Sequence, residues 1–186
     1  MIISHQVPLV GQCSSMTCHY ASAQMLVRWY KSLPESSAYR NGEYKGTVDE
    51  AGATTEMCSA NAAFKPDFIS SLARAYKFHL GQFSTTNGEL IEPWLAVATT
   101  LMLSGPLWYG GNCTGYRGKT GGGHVVVITG IDTQSETLYI NDPDPIGTGT
   151  ALSYDCSTFL PNSVRHRNPQ IVCLSPTATN QLEARC

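Results

Sequence analysis

From about Met16 to Ser32 the chain reads as a helix that is apolar on nearly every side. At about 100° per residue, Gln24, Arg28 and Lys31 fall on one narrow arc, while Cys18, Ala21, Met25 and Trp29 cluster to one side of it and most other positions are apolar. A helix with so thin a polar stripe must be packed by protein around most of its circumference. Ser14 and Ser15 can cap its start. With 186 residues, of which 42% are hydrophobic and only 14% charged, the chain has the material for a core around such a helix. One domain over residues 1–186 is expected, with a helical lobe over about 1–104 and a sheet lobe over about 105–186.

Leu33 to Thr55 is rich in Pro, Ser, Gly, Asn and charges and reads as a long loop. Further helices are predicted over Pro66 to Phe78, with proline in the first turn, and over Glu92 to Leu103, ending near Ser104-Gly105-Pro106. The period then changes. Leu107-Trp108-Tyr109, Val125 to Ile131, Thr137 to Ile140 and Gln170 to Leu174 are strand candidates, and Asp132 to Glu136 is a hairpin loop between the middle two. Gly110 to Gly123 holds seven glycines and reads as a flexible loop. Helices first and an antiparallel sheet second is an α+β layout.

The net charge of -2, with Lys and Arg scattered, gives no electrostatic case for nucleic acid or an anionic membrane. The longest apolar stretch, Trp94 to Leu103, is too short to span a bilayer. Met1 to His5 has neither a basic n-region nor a cleavable h-region, so it does not read as a signal peptide. Of the seven cysteines, six besides Cys18 could form three bridges. Without a signal peptide the expectation is reduced, mostly buried thiols, with Cys186 exposed and unpaired.

Against this background four residues stand out. Cys18 opens the buried helix, where the helix N-terminus favours a thiolate. Gln12 lies six residues before it. His124 follows three glycines and begins the apolar run Val125-Val126-Val127-Ile128. Asp142 follows in Asn141-Asp142-Pro143, on the strand face shared by Leu138 and Ile140. A thiolate can attack a carbonyl, an imidazole can move the proton, a carboxylate can orient the imidazole, and a Gln amide can help hold the oxyanion. Each residue also has a plainer role. Cys18 suits a small buried hydrophobe, His124 polar surface at a strand start, and Asp142-Pro143-Asp144-Pro145 a turn.

Rival assignments are weaker. Gly11-Gln12-Cys13 is similar to the Gly-x-Cys nucleophile of transglutaminases, but no aromatic follows it, and Cys13 is expected to pack or pair. His19, next along the helix from Cys18, would point about 100° round from the thiol. Cys13, Cys18 and His19 lack a second pair at zinc-ligand spacing, so no metal or other cofactor is expected. Gly118-Lys119-Thr120 lacks the first glycine and the following helix of a phosphate loop.

On these residues the chain resembles the papain-like cysteine peptidases, and within them the bacterial avirulence-effector proteases and the bacteriocin-processing double-glycine peptidases. The resemblance rests on Val7-Pro8, Gln12, Cys18-His19-Tyr20-Ala21-Ser22-Ala23-Gln24-Met25-Leu26, Gly105-Pro106-Leu107-Trp108, Gly123-His124-Val125-Val126-Val127-Ile128-Thr129-Gly130 and Tyr139-Ile140-Asn141-Asp142-Pro143. It implies a helical lobe bearing the Cys and a sheet lobe bearing the His and Asp. It implies Cys18 as nucleophile, His124 as acid and base, Asp142 as orienter and Gln12 at the oxyanion hole. One departure is His19, where the family usually has Trp.

The expected function is therefore a cysteine endopeptidase, a secreted bacterial effector or toxin delivered to act on a protein in a target cell's cytoplasm. It is expected to be a monomer, with an immunity or inhibitor protein as a further partner. Gly122, Gly123 and Trp108 are the candidate substrate-binding residues. A glycine-rich loop before His124 suggests a narrow cleft and cleavage after glycine, a preference the resembling branches share. Two alternatives use the same residues: an amidase or acyl transferase, for example on peptidoglycan, which a disulfide-rich chain would favour, and an inactive papain-fold binding module.

Overall fold

The computed structural model describes residues 1–34, 36–37, 39, 51–63, 78–81, 93–112, 116–118, 122–159 and 170–174. In chain order the elements are β1 (Ile2–Ser4), α1 (Cys18–Ser32), α2 (Thr55–Ser59), β2 (Phe78–Gly81), α3 (Pro93–Ser104), β3 (Leu107–Asn112), a 3-10 turn (Tyr116–Gly118), β4 (Gly123–Asp132), β5 (Thr137–Asp142), β6 (Thr150–Asp155) and β7 (Gln170–Leu174). The strands form one antiparallel sheet in the order β2-β7-β3-β4-β5-β6, with β1 added to β4. The architecture is α+β, as the change of period predicts.

The run His124 to Ile131 is nearly continuous in apolar residues because β4 is covered on both faces. Val125 and Val127 pack with Met25, Leu26, Trp29 and Trp108 on the α1 side. Val126, Ile128 and Ile131 pack with Val97, Leu101, Leu138 and Ile140 on the α3 side. The buried helix of the sequence is α1, fully enclosed at Ala23, Met25, Leu26 and Val27. Two hydrogen bonds fix it against the sheet: Ser22 Oγ donates to Val125 O at 3.2 Å, and Trp108 Nε1 donates to His19 O at 3.1 Å.

Several expectations change. The helix starts at Cys18 rather than Met16, and Ser14 and Ser15 do not cap it. Thr17 takes that position, and its hydroxyl donates back to Ser14 O at 2.9 Å instead of accepting a helix amide. Gly110 and Gly111 are not loop residues but the end of β3, opposite Val125 and His124. The first 104 residues are not wholly helical, since β1 and β2 join the sheet. β1 covers the stretch of β4 beyond the reach of β3, and Gly130 permits it: a Cβ there would lie 2.4 Å from Ile3 O. β2 begins at Phe78, where the second predicted helix was to end; the rest of that helix lies outside the described residues.

The thiols are not all reduced. Cys13 and Cys58 form a disulfide across 45 residues, while Cys18 and Cys156 are free and buried. The bond ties the segment before α1 to α2. Asn61 reinforces it, accepting from Met16 N–H at 2.9 Å and donating to Ser15 Oγ at 3.0 Å. Cys113 and Cys186 lie outside the described residues.

Candidate active site

The register of the sheet builds one half of the site. Val127 pairs with Asn141 on β5, so Asp142 lies opposite Val126 and His124 is two residues further along the same face. That diagonal places the two side chains within reach. His124 Nε2 donates to Asp142 Oδ1 at 2.7 Å. The other ring nitrogen remains for Cys18, whose thiol is within hydrogen-bonding reach of His124 and belongs to the first residue of α1. Cys18 thus stands at the helix N-terminus, whose partial positive charge favours the thiolate.

The charges follow from these contacts. Burial alone pushes the Cys18 thiol up, but hydrogen bonds to His124 and His19 and the charge of His124 outweigh it, and the pKa falls to about 6. Burial disfavours the charged form of His124, yet hydrogen bonds to Asp142 and Cys18, with the charges of both, raise it to about 9. Asp142, despite burial, is held at about 2 by the hydrogen bond and charge of His124, helped by Asp144 N–H and Tyr116. Near neutrality Cys18 is a thiolate and His124 an imidazolium, the reactive form of such a pair.

Asp142 is fully enclosed and accepts four hydrogen bonds. Oδ1 takes His124 and the Asp144 N–H at 2.8 Å. Oδ2 takes Tyr116 O–H at 2.9 Å and Arg117 Nη1 at 3.1 Å. The sequence reading missed Tyr116 and Arg117. Their only signal was that a Tyr-Arg pair interrupts a glycine-rich stretch that had no other use for them.

Gln12 is buried, and its backbone is clamped by the turn after Asp142: its N–H donates to Pro143 O and its C=O accepts from Gly147 N–H, both at 2.8 Å. Gly11 makes this approach possible, since a Cβ there would sit 2.3 Å from Thr148 N. Gln12 Oε1 is buried and has no hydrogen-bond partner among the described residues. The same turn thus carries Asp142 at one end and grips Gln12 at the other.

The remaining candidates separate. Asn141 faces away from His124 and donates through Nδ2 to Val7 O at 2.9 Å, as the alternation of a strand requires. His19 does not point away from the thiol: it is buried and within hydrogen-bonding reach of Cys18. Cys13 is taken by the disulfide. Trp108 is 1% exposed and packs between α1 and the sheet, so it offers no surface to a substrate and instead positions the helix. Gly122 and Gly123 are exposed beside His124. A Cβ at either would meet nothing within 4 Å, and Gly122 has a φ of +95°.

Among known families, the Peptidase C39-like family has a sequence model that matches residues 4–166, a span holding Gln12, Cys18, Tyr116, Arg117, His124 and Asp142. No curated protein matches the chain.

Proposed function

The chain belongs to the Peptidase C39-like family and is by that membership a cysteine peptidase with a papain-like fold; from this premise we propose that it cleaves a protein at a peptide bond with Cys18, His124, Asp142 and Gln12. The observation that carries the reading is the thiol and carboxylate on opposite sides of one imidazole, at the start of α1 and the end of β5. The Cys18 thiolate adds to the carbonyl carbon, and the carbonyl electron pair moves to oxygen. The Gln12 side-chain amide and the Cys18 N–H hold that oxyanion. His124 gives its proton to the leaving amine, the C–N bond breaks, and a thioester remains. His124 then takes a proton from water, whose oxygen displaces the thiolate. Asp142 keeps the ring oriented throughout.

The Cys13–Cys58 disulfide supports a secreted protein, since such bonds form and persist in oxidising compartments. An exported effector or toxin acting on another cell's protein fits it. The same bond also favours a second reading, an amidase acting on cell-wall peptides outside the cytoplasm, because attack on any amide needs the same groups. Gly122 and Gly123 leave the side of His124 open to a substrate backbone, which supports cleavage after glycine.

Expression of the wild type and of Cys18→Ala, followed by mapping of new protein N-termini, tests the reading. Wild type should generate N-termini that follow glycine-containing segments, and Cys18→Ala and His124→Ala should generate almost none. The two losses should not add, since the pair acts as a unit. Equal cleavage by Cys18→Ala would remove the thiol from the mechanism; release of cell-wall peptides without new protein N-termini would favour the amidase.

A further inference from the structure

We propose that Tyr116 and Arg117 are positioning residues that hold Asp142 by its outer oxygen and thereby set the alkaline limit of the site; the proposal rests on the thiol–imidazole reading above. Four donors saturate the acceptor capacity of a carboxylate. Two of them, His124 and the Asp144 N–H, use Oδ1. Tyr116 and Arg117 use Oδ2, and with both in place the carboxylate cannot rotate without breaking two further bonds.

Tyr116 is also a buried member of the core around α3, whereas Arg117 is exposed. The Tyr116 ring packs against Tyr154 and Phe159, with centroids 5.3 and 5.4 Å away, but its hydroxyl goes to Asp142. The Arg117 guanidinium bonds Asp142 Oδ2 and, at 3.1 Å, Asp144 O. Its backbone is left-handed, with φ +49°, a conformation that non-glycine residues seldom adopt. The turn is bent where it delivers both side chains to one oxygen.

The electrostatic consequence has a definite sign. His124 is faced by Cys18 from α1, whose thiol is also within reach of His19, by Asp142 from β5, and by Tyr116, whose ring lies 6.1 Å away, with Arg117 beyond the carboxylate and Asp144 beside it. Donors on Oδ2 share the carboxylate's negative charge, so less of it holds the proton on His124. Removing either donor strengthens that hold. The imidazolium then survives to higher pH and becomes a poorer acid toward the leaving amine.

The rate of alkylation of Cys18 by iodoacetamide, followed on the Cys18 peptide as a function of pH, reads this without a substrate. Wild type should show a lower step as the thiol ionises and an upper step as His124 loses its proton. In Tyr116→Phe, which keeps the ring, the upper step should move up by about half a unit. In Arg117→Gln it should move up at least as far, and in Arg117→Lys, which keeps the charge, by less. With a Gly-Gly peptide coumarin amide, kcat should fall about threefold to tenfold at neutral pH with KM little changed. An upper step that coincides with wild type in both Tyr116→Phe and Arg117→Gln, or that moves down, overturns the proposal. Should Arg117→Gln not fold, Tyr116→Phe decides alone. Absence of the upper step from the wild type would instead overturn the thiol–imidazole pairing beneath it.

Discussion

At Cys18 and His124 the ionisation that chemistry needs is present before a substrate arrives. The thiol, near 6, and the imidazole, near 9, bound a window in which one is deprotonated and the other protonated. Activity needs both, so kcat/KM for a peptide amide should rise as pH increases through about 6 and fall through about 9. A rise that continues beyond pH 10 would show that the protonated imidazole is dispensable. Cys18, His124, Asp142 and Gln12 could be singled out in the sequence because each sits at a position with its own local signal: a helix start, a strand start, a strand-face parity, a fixed offset. Tyr116 and Arg117 could not, since their partner is 25 or 26 residues away in sequence and the turn that aims them depends on a positive φ at a non-glycine residue. His19 reaches the thiol despite its angular offset, since spacing round a helix does not fix which way a side chain folds back.

Among the elements, the segment from Cys13 to Thr17 has little secondary structure of its own, yet it aims the start of α1. The disulfide to Cys58 and the bonds to Asn61 hold it. Closing a 45-residue loop contributes about 2–4 kcal/mol, so Cys58→Ser should lower the melting temperature by about 5–15 °C. A phosphine reductant should lower wild type by a similar amount and leave Cys58→Ser unchanged; equal melting of the two oxidised proteins would show that the staple is idle. The pairing itself could not be read, because cysteine spacing leaves fifteen pairings open for six thiols. α1, α3, β3, β4, β5 and β7 were legible from period and composition. β1 and β6 were not: β1 is three residues long and exists because β4 has a free edge, and β6 alternates only between partly buried and exposed positions.

For the molecule as a whole, the sheet separates two apolar cores, one around α1 and one around α3, and the reactive pair lies where α1 meets the sheet. That pair changes how folding and acidity are linked. The raised pKa of His124 gives stability that is fully present below 6.5 and lost as pH rises through 9. The lowered pKa of Cys18 gives stability present above 9 and lost as pH falls through 6. Between those limits the two slopes are opposite and cancel: on folding, Cys18 releases one proton and His124 takes up one. The unfolded chain titrates near 6.5 and 9 and the folded chain near 6 and 9, with the owners of the two values exchanged. His5, lowered by burial, and Cys156, pushed up by burial to about 12, still weaken the fold below about 6.5 and above about 9. The test is therefore a difference: melting temperatures of wild type and a Cys18→Ser, His124→Gln double variant should keep a constant gap from pH 5.5 to 9.5. A step in that gap near 6 or 9 would show that the two slopes do not cancel. Acid or base can therefore switch the site off without the pair itself loosening the fold, because the proton that arms the thiolate never leaves the molecule.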